Sequence, residues 1–277
     1  RLYTDADLHR LELLADLTDR GRRIGQLAGL PTEELSTLLE RDRRSEGEVA
    51  EPDRTPDRDL AEECRSVIEA VETFDADRLE SEVRRASLKH GLRTFVEELV
   101  VPVLVEVGTR WHDGEMGIAQ EHLASGVFSR ALQHMLEGSA ADANAPAIVV
   151  ATPSGHRHEI GAMIAAALAG SEGWKVLFLG ADLPAEEIAR TAREVDARAV
   201  ALSLVYGLDG APTEQELRRL RGDLPASVEI LVGGRGASDA MGGASVKGLK
   251  LMSGFSEFSE HLRELENGGA STGVADG

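Results

Sequence analysis

Residues 147–170 read AIVVATPSGHRHEIGAMIAAALAG, and their reading decides the fold. Residues 147–152 form a short run rich in valine and isoleucine, which predicts a buried strand. Pro153, Ser154 and Gly155 end it, and a polar loop follows with His156 and His158 two residues apart. Residues 160–170 are then apolar on nearly every side, the pattern of a buried helix. The same alternation continues downstream, with strands predicted at 175–179, 199–205 and 229–232 and a weaker fifth at 249–252. Helices are predicted at 160–169, 184–195, 213–220 and 257–265. Near-continuous apolar strands separated by amphipathic helices predict an α/β domain over 147–266, a parallel sheet covered on both faces.

Upstream the period changes. Residues 60–137 are helical throughout, with apolar stripes at Val67/Ile68/Val71, Leu79/Val83/Ala86, Phe95/Leu99/Val103/Val107 and 116–135. Four helices with short connections predict an all-α up-and-down bundle. Pro102 lies inside the third helix and predicts a kink. The segment 138–146 (GSAADANAP) reads as a linker, and so does 45–59 (SEGEVAEPDRTPDRD), which is charged and holds two prolines. Residues 1–44 read as helical hairpins too small to fold well alone. Residues 267–277, rich in Gly, Ser and Ala, predict a disordered tail.

Composition sets outer limits. The chain has 277 residues, 42% hydrophobic and 29% charged, which suits a globular protein of two or three domains. Lys+Arg 30 against Asp+Glu 49 gives a formal net charge of -19, which argues against a surface that binds nucleic acid throughout. A local DNA-reading module attached to an acidic body remains compatible. One cysteine, Cys64, excludes an intrachain disulfide framework and a Cys-rich zinc site, and it has no partner in the sequence reading. The longest near-apolar stretch, 160–170, is well short of the ~20 residues that span a bilayer. No signal segment opens the sequence, so no membrane association and a cytoplasmic location are expected.

Ligands of open α/β sheets sit at the carboxyl ends of the strands. Those ends carry Pro153 to Gly161, Gly180-Ala181-Asp182-Leu183, Ser203 to Gly207 and Gly233-Gly234-Arg235-Gly236. No Walker-type lysine is present, so a nucleotide-phosphate site is poorly supported. His158-x-x-Gly161, then 41 residues, Ser203-x-Val205, then 27 residues and Gly233-Gly234 is similar to the cobalamin-binding signature D-x-H-x-x-G … S-x-L … G-G. The resemblance implies a flavodoxin/Rossmann-like sheet, with His158 as the lower cobalt ligand. It also implies a slot lined by Ser203, Val205, Gly233 and Gly234 for the displaced nucleotide tail. His156 stands where the family has an acidic residue that orients the ligand. Glu159 or a water is an alternative partner, and His156 is an alternative ligand. The competing reading is a flavodoxin-like module with two incidental histidines.

In the bundle, Trp111, nine intervening residues and Glu121-His122 resemble the W-x9-E-H motif of CarH-like adenosylcobalamin-dependent light-sensing regulators. There the bundle caps the upper face of the corrin. The resemblance implies that Trp111 packs on the adenosyl group and that Glu121 hydrogen-bonds its sugar, with His122 completing the motif. It implies for His112 a place on the cobalt after light has removed adenosyl, although a surface histidine at a helix end reads the same way. His9, His90, His134 and His261 read as structural or solvent-facing, and Trp174 as packing. The opening residues, Arg1-Leu2-Tyr3-Thr4-Asp5-Ala6-Asp7-Leu8, look like the segment after the wing of MerR-type winged-helix DNA-binding domains. That likeness makes 1–44 the C-terminal part of such a domain.

The resemblance as a whole implies a light-sensing transcriptional repressor, not an enzyme. It would hold adenosylcobalamin as a homotetramer on operator DNA in the dark and disassemble in light. Alternatives are a corrinoid methyl carrier or methyltransferase subunit, and a light sensor with a bilin beside cobalamin.

Overall fold

The computed structural model describes residues 58–137, 142, 144–205, 210–240 and 247–270, with Arg10, Leu13, Pro31, Thr32 and Leu35. The chain divides into two compact units, 1–55 and 56–277. In the first unit Arg10, Leu13, Thr32 and Leu35 are helical, Leu13 and Leu35 are buried, and Arg10 donates to Thr32 Oγ1 at 3.3 Å. The rest of the MerR-like segment, most of the 45–59 linker, and residues 271–277 lie outside the described residues.

The second unit opens with four helices: α1 (Arg58–Glu72), α2 (Ala76–Lys89), α3 (92–112) and α4 (Ile118–Glu137). Asp75 caps α2 by accepting from the Arg78 N–H at 3.0 Å, and α2 buries Leu79, Val83 and Ala86. On α4 the buried stripe is Ala124, Val127, Phe128 and Leu132. The third helix is not simply kinked at Pro102. It runs as Leu92–Phe95, a π-helical turn Val96–Val100, and Val101–His112. Pro102 has no N–H to donate, and its ring crowds the carbonyl one turn earlier. The wider turn, with Val101 N–H bonded to Val96 O, relieves that crowding. The Glu98 carbonyl, four residues before Pro102, accepts the Cys64 thiol at 3.3 Å. Cys64 thus has a partner that the sequence did not indicate, and burial pushes its thiol pKa up.

The α/β part follows as β1 (Ala147–Pro153), α5 (Ile160–Ser171), β2 (Lys175–Leu183), α6 (Ala185–Glu194), β3 (Ala199–Ser203) and α7 (Gly210–Asp223). It closes with β4 (Glu229–Gly233), a short α8 (Ala237–Ala240), β5 (Leu249–Leu251) and α9 (Phe255–Ala270). All pairings are parallel, in the order β2-β1-β3-β4-β5. Alternate residues divide between two cores, as strand geometry requires. Val149, Val200, Leu202, Ile230 and Val232 join the core under α6 and α7. Ile148, Val150, Ala199, Ala201 and Leu231 join the other, which includes α5, α9 and the bundle.

The expected 60–137 bundle and 147–266 sheet therefore share one core despite the linker between them. The reason lies in α5, whose small apolar residues leave two faces to bury, one on the sheet and one on α4. Trp174 is buried in this core, as its packing role requires. A polar clasp lies beside it: Arg93 reaches Glu172 at 3.3 Å, Arg263 reaches the same carboxylate at 3.3 Å, and Ser256 donates to Glu97 at 2.8 Å. The predicted tail at 267–277 is corrected at its start, since α9 continues to Ala270. A helix already nucleated and docked through Phe258 and Leu262 adds one hydrogen bond per further residue, which carries even glycine along.

Candidate functional site

The strand order reverses direction between β1 and β3, so the crevice outside their carboxyl ends is the topological switch point. The loop 154–159 leaves β1 there, and Ser203 ends β3 one strand away. Gly161, in the first turn of α5, packs so closely on β3 that an added Cβ would meet Ser203 Oγ at 2.5 Å. Just past the end of the neighbouring β4, Gly234 has φ +101, and an added Cβ would meet the Leu204 carbonyl oxygen at 2.2 Å. Leu204 N–H donates to Gly233 O at 2.8 Å, and Gly236 N–H donates to Leu204 O at 2.9 Å. The β3 and β4 ends can interlock this tightly only because Gly234 lacks a side chain. Ser203 is buried, and Val205 lies just past the end of β3, which stops two residues short of its predicted extent.

The two histidines of the β1 loop have different surroundings. His158 is exposed, and Glu159 beside it is half-buried. His156 is 5% exposed, and its Nε2 lies 3.2 Å from Thr213 Oγ1 on α7. Burial pushes the His156 imidazole pKa down, and the nearby Asp182 charge opposes this only in part. Its carbonyl accepts from Asp182 N–H at 3.1 Å and from the Thr152 hydroxyl. His156 therefore anchors the loop to α7.

The bundle residues gather at the turn between α3 and α4. Gly114 N–H donates to Trp111 O at 3.1 Å, and Glu115 and Met116 N–H both donate to Arg110 O. Buried Met116 fastens the turn from inside. Arg110 pairs with Glu72 at the end of α1, and Gln120 Nε2 donates to Glu72 O at 3.1 Å. The motif thus stands on a braced helix end. Glu121 and His122 are joined, Oε2 to Nδ1, at 2.5 Å. His112 is exposed, and Trp111 is 42% exposed, with Ile118 and Phe74 exposed at the same end of the bundle.

The remaining described histidines are structural or solvent-facing, as read from the sequence. His90 bonds Glu63 at 2.8 Å, His261 lies between Lys250 and Glu229 at 2.7 Å from each, and His134 is exposed. Asp182 is the residue that sequence reading passed over. It lies in the quoted β2 end, but its link to the β1 loop exists only in three dimensions.

Two protein families, each described as a B12 binding domain, match the chain, one over residues 64–136 and the other over 146–245. The first range covers most of the bundle and the second begins at β1. The HTH-type transcriptional repressor CarH of Myxococcus xanthus is 32% identical over 240 residues, covering 86% of this chain and 77% of that protein. Dimethylamine corrinoid protein 1 of Methanosarcina acetivorans is 26% identical over 176 residues, covering 62% of this chain and 82% of the relative. Among solved structures, the monomethylamine corrinoid protein of Methanosarcina barkeri superposes with a TM-score of 0.61 at 15% identity. That match covers 74% of this chain and 99% of the other, and it shows the shared fold.

Proposed function

The chain belongs to the CarH-like family of B12-binding proteins, and on that premise we propose that it is an adenosylcobalamin-dependent, light-sensing transcriptional repressor. The observation that carries this reading is the Trp111/Glu121/His122 motif, with Trp111 and His122 exposed and Glu121 half-buried at a braced end of the bundle.

The residues present fit a cobalamin. His158 offers an exposed imidazole on a loop at the switch point, a suitable donor to a cobalt that brings its other ligands with it. Ser203, Val205, Gly233 and Gly234 put only small or no side chains around the ends of β3 and β4, where a bulky tail needs room. When bound, adenosylcobalamin supplies a cobalt–carbon bond that visible light cleaves. Trp111 would pack on the adenosyl group, the Glu121–His122 pair would hydrogen-bond its sugar, and His112 would offer a second imidazole from the cap. Operator DNA would be held by a MerR-type module to which residues 1–44 belong. A homotetramer in the dark would combine several weak DNA contacts, which suits a body carrying a formal charge of -19. On this reading the chain is a regulator and not an enzyme. No helix among the described residues is long and apolar enough to cross a membrane.

The likeness to corrinoid proteins supports a second reading, a methyl carrier. One experiment separates them. Protein loaded with adenosylcobalamin in the dark is examined by absorption spectroscopy and size-exclusion chromatography before and after green light. The repressor reading expects a permanent spectral change with loss of the dark oligomer. Assembly that is equal with methylcobalamin and unaffected by light would favour the carrier. A second chromophore band in the purified protein would point to a bilin.

A further inference from the structure

The pairing of β1 with β2 slips twice near its carboxyl end. Ala147 to Val150 pair in step with Lys175 to Phe178, then Ala151 pairs with Gly180 and Pro153 with Leu183. The extra residues lie on β2, in a stretch where Gly180 (φ 85) and Asp182 (φ 61) adopt left-handed backbone conformations. Bulges of this kind re-aim side chains beside functional sites. Here they turn Asp182 toward the β1 loop. Its Oδ1 accepts from Gly155 N–H at 2.7 Å, and its own N–H donates to Thr152 Oγ1 at 3.0 Å and to His156 O at 3.1 Å. Its Oδ2 faces the exposed Arg157 guanidinium at 3.8 Å. Residues 155 and 156 are thus hydrogen-bonded to Asp182, and Arg157 lies near its carboxylate, immediately before His158.

We propose that Asp182 is the positioning residue for His158, supplying from β2 the carboxylate that position 156 lacks. This rests on the reading of His158 as the cobalt ligand. His156 is committed to Thr213 and leaves the loop without an acidic residue of its own before His158. Asp182 restores a negative charge there and fixes the backbone that carries the imidazole. A loop already fixed loses less freedom when its side chain ligates, which strengthens binding. Aspartate is also among the few residues other than glycine that tolerate the left-handed conformation required at 182.

The test uses Asp182→Gly, which accepts the same backbone conformation but removes the carboxylate, and Asp182→Asn, which keeps an acceptor for Gly155 without the charge. Two readouts are taken on the full chain. The first is the rate of tryptic cleavage after Arg157 in the cofactor-free protein. The second is dark affinity for adenosylcobalamin, in the wild-type and His158→Ala backgrounds. Asp182→Gly should be cut several-fold faster at the Arg157–His158 bond, and its affinity should fall about tenfold or more. In the His158→Ala background it should cause no further loss, and Asp182→Asn should fall between Asp182→Gly and wild type.

Unchanged cleavage with unchanged affinity would overturn the proposal. So would an affinity loss that persists in full without His158, since Asp182 would then act on the cofactor directly. Effects reproduced by Glu159→Gln and absent in Asp182→Gly would transfer the role to Glu159. If His158→Ala alone binds as well as wild type, the ligand reading fails, and the cleavage comparison still decides whether Asp182 holds the loop.

Discussion

Replacing Gly161 by alanine probes the contact that joins the start of α5, just after the candidate ligand loop, to β3. The new Cβ would stand 2.5 Å from Ser203 Oγ and 3.6 Å from Ser203 Cβ. The longer distance is ordinary contact, and the shorter one requires the hydroxyl to move. Overpacking of this kind costs about 1–3 kcal/mol. Exchanging glycine for alanine in a helix returns up to about 1 kcal/mol. Gly161→Ala alone should therefore cost about 0–3 kcal/mol, a sum of opposed effects that does not identify its own cause. Ser203→Ala removes Oγ and leaves only the 3.6 Å contact. In that background Gly161→Ala should be neutral, or stabilising by up to about 1 kcal/mol. The four proteins of the cycle, unfolded in urea without cofactor and followed by circular dichroism, should give a coupling of about 1–3 kcal/mol. A coupling within ~0.5 kcal/mol, the scatter of independent sites, would refute the close packing inferred for the start of α5 and β3.

Three further outcomes follow from neighbouring parts of the fold. Gly234→Ala should cost more than about 3 kcal/mol, since its Cβ meets backbone that cannot rotate aside and its φ is positive. Gly233→Ala, whose nearest neighbour would be Met252 Cβ at 3.7 Å, should fold almost as stably as wild type, and equal urea midpoints for the two variants would contradict this. Burial raises the Glu63 carboxyl pKa, but hydrogen bonds from Lys89 and His90 outweigh it and hold the group below the usual carboxylate range. Its contribution is thus present above the ordinary carboxylate pKa and lost as pH falls through the lowered folded value. Glu63→Gln should cost about 1–3 kcal/mol at neutral pH, with the gap to wild type closing below pH ~4; a gap constant down to pH ~3 would count against it. His158→Ala should weaken cobalamin binding by no less than the ~10–100-fold that outer-shell partners cost, whereas His156→Ala should lower stability more than affinity. The reverse pattern in an equilibrium titration would show that the ligand register is wrong.

The local patterns were legible because their information lies along the chain. Val149 and Val150 in an unbroken apolar run imply a buried parallel strand, and Leu79, Val83 and Ala86 mark one face of a helix wherever the rest of the protein lies. The spacing of His158, Gly161, Ser203 and Gly233 also survives in sequence, because strand and helix lengths fix where strand ends fall. Element ends were less legible. Nothing local shows that β2 runs on through two bulges to Leu183, or that α9 carries Asn267 and Gly268 with it.

Sequence alone therefore determined the helical bundle, the parallel α/β sheet, the strand ends that carry the candidate site, and the motifs that resemble those of B12-binding proteins. Tertiary structure alone decided which groups meet across distance. It turned His156 toward Thr213, placed the Asp182 carboxylate on Gly155, gave the Cys64 thiol to Glu98, and merged bundle and sheet into one core. The physical reason is range. Periodicity and propensity act over a few residues, whereas these contacts depend on strand register and on which faces two helices bury, and both are set by packing of the whole unit.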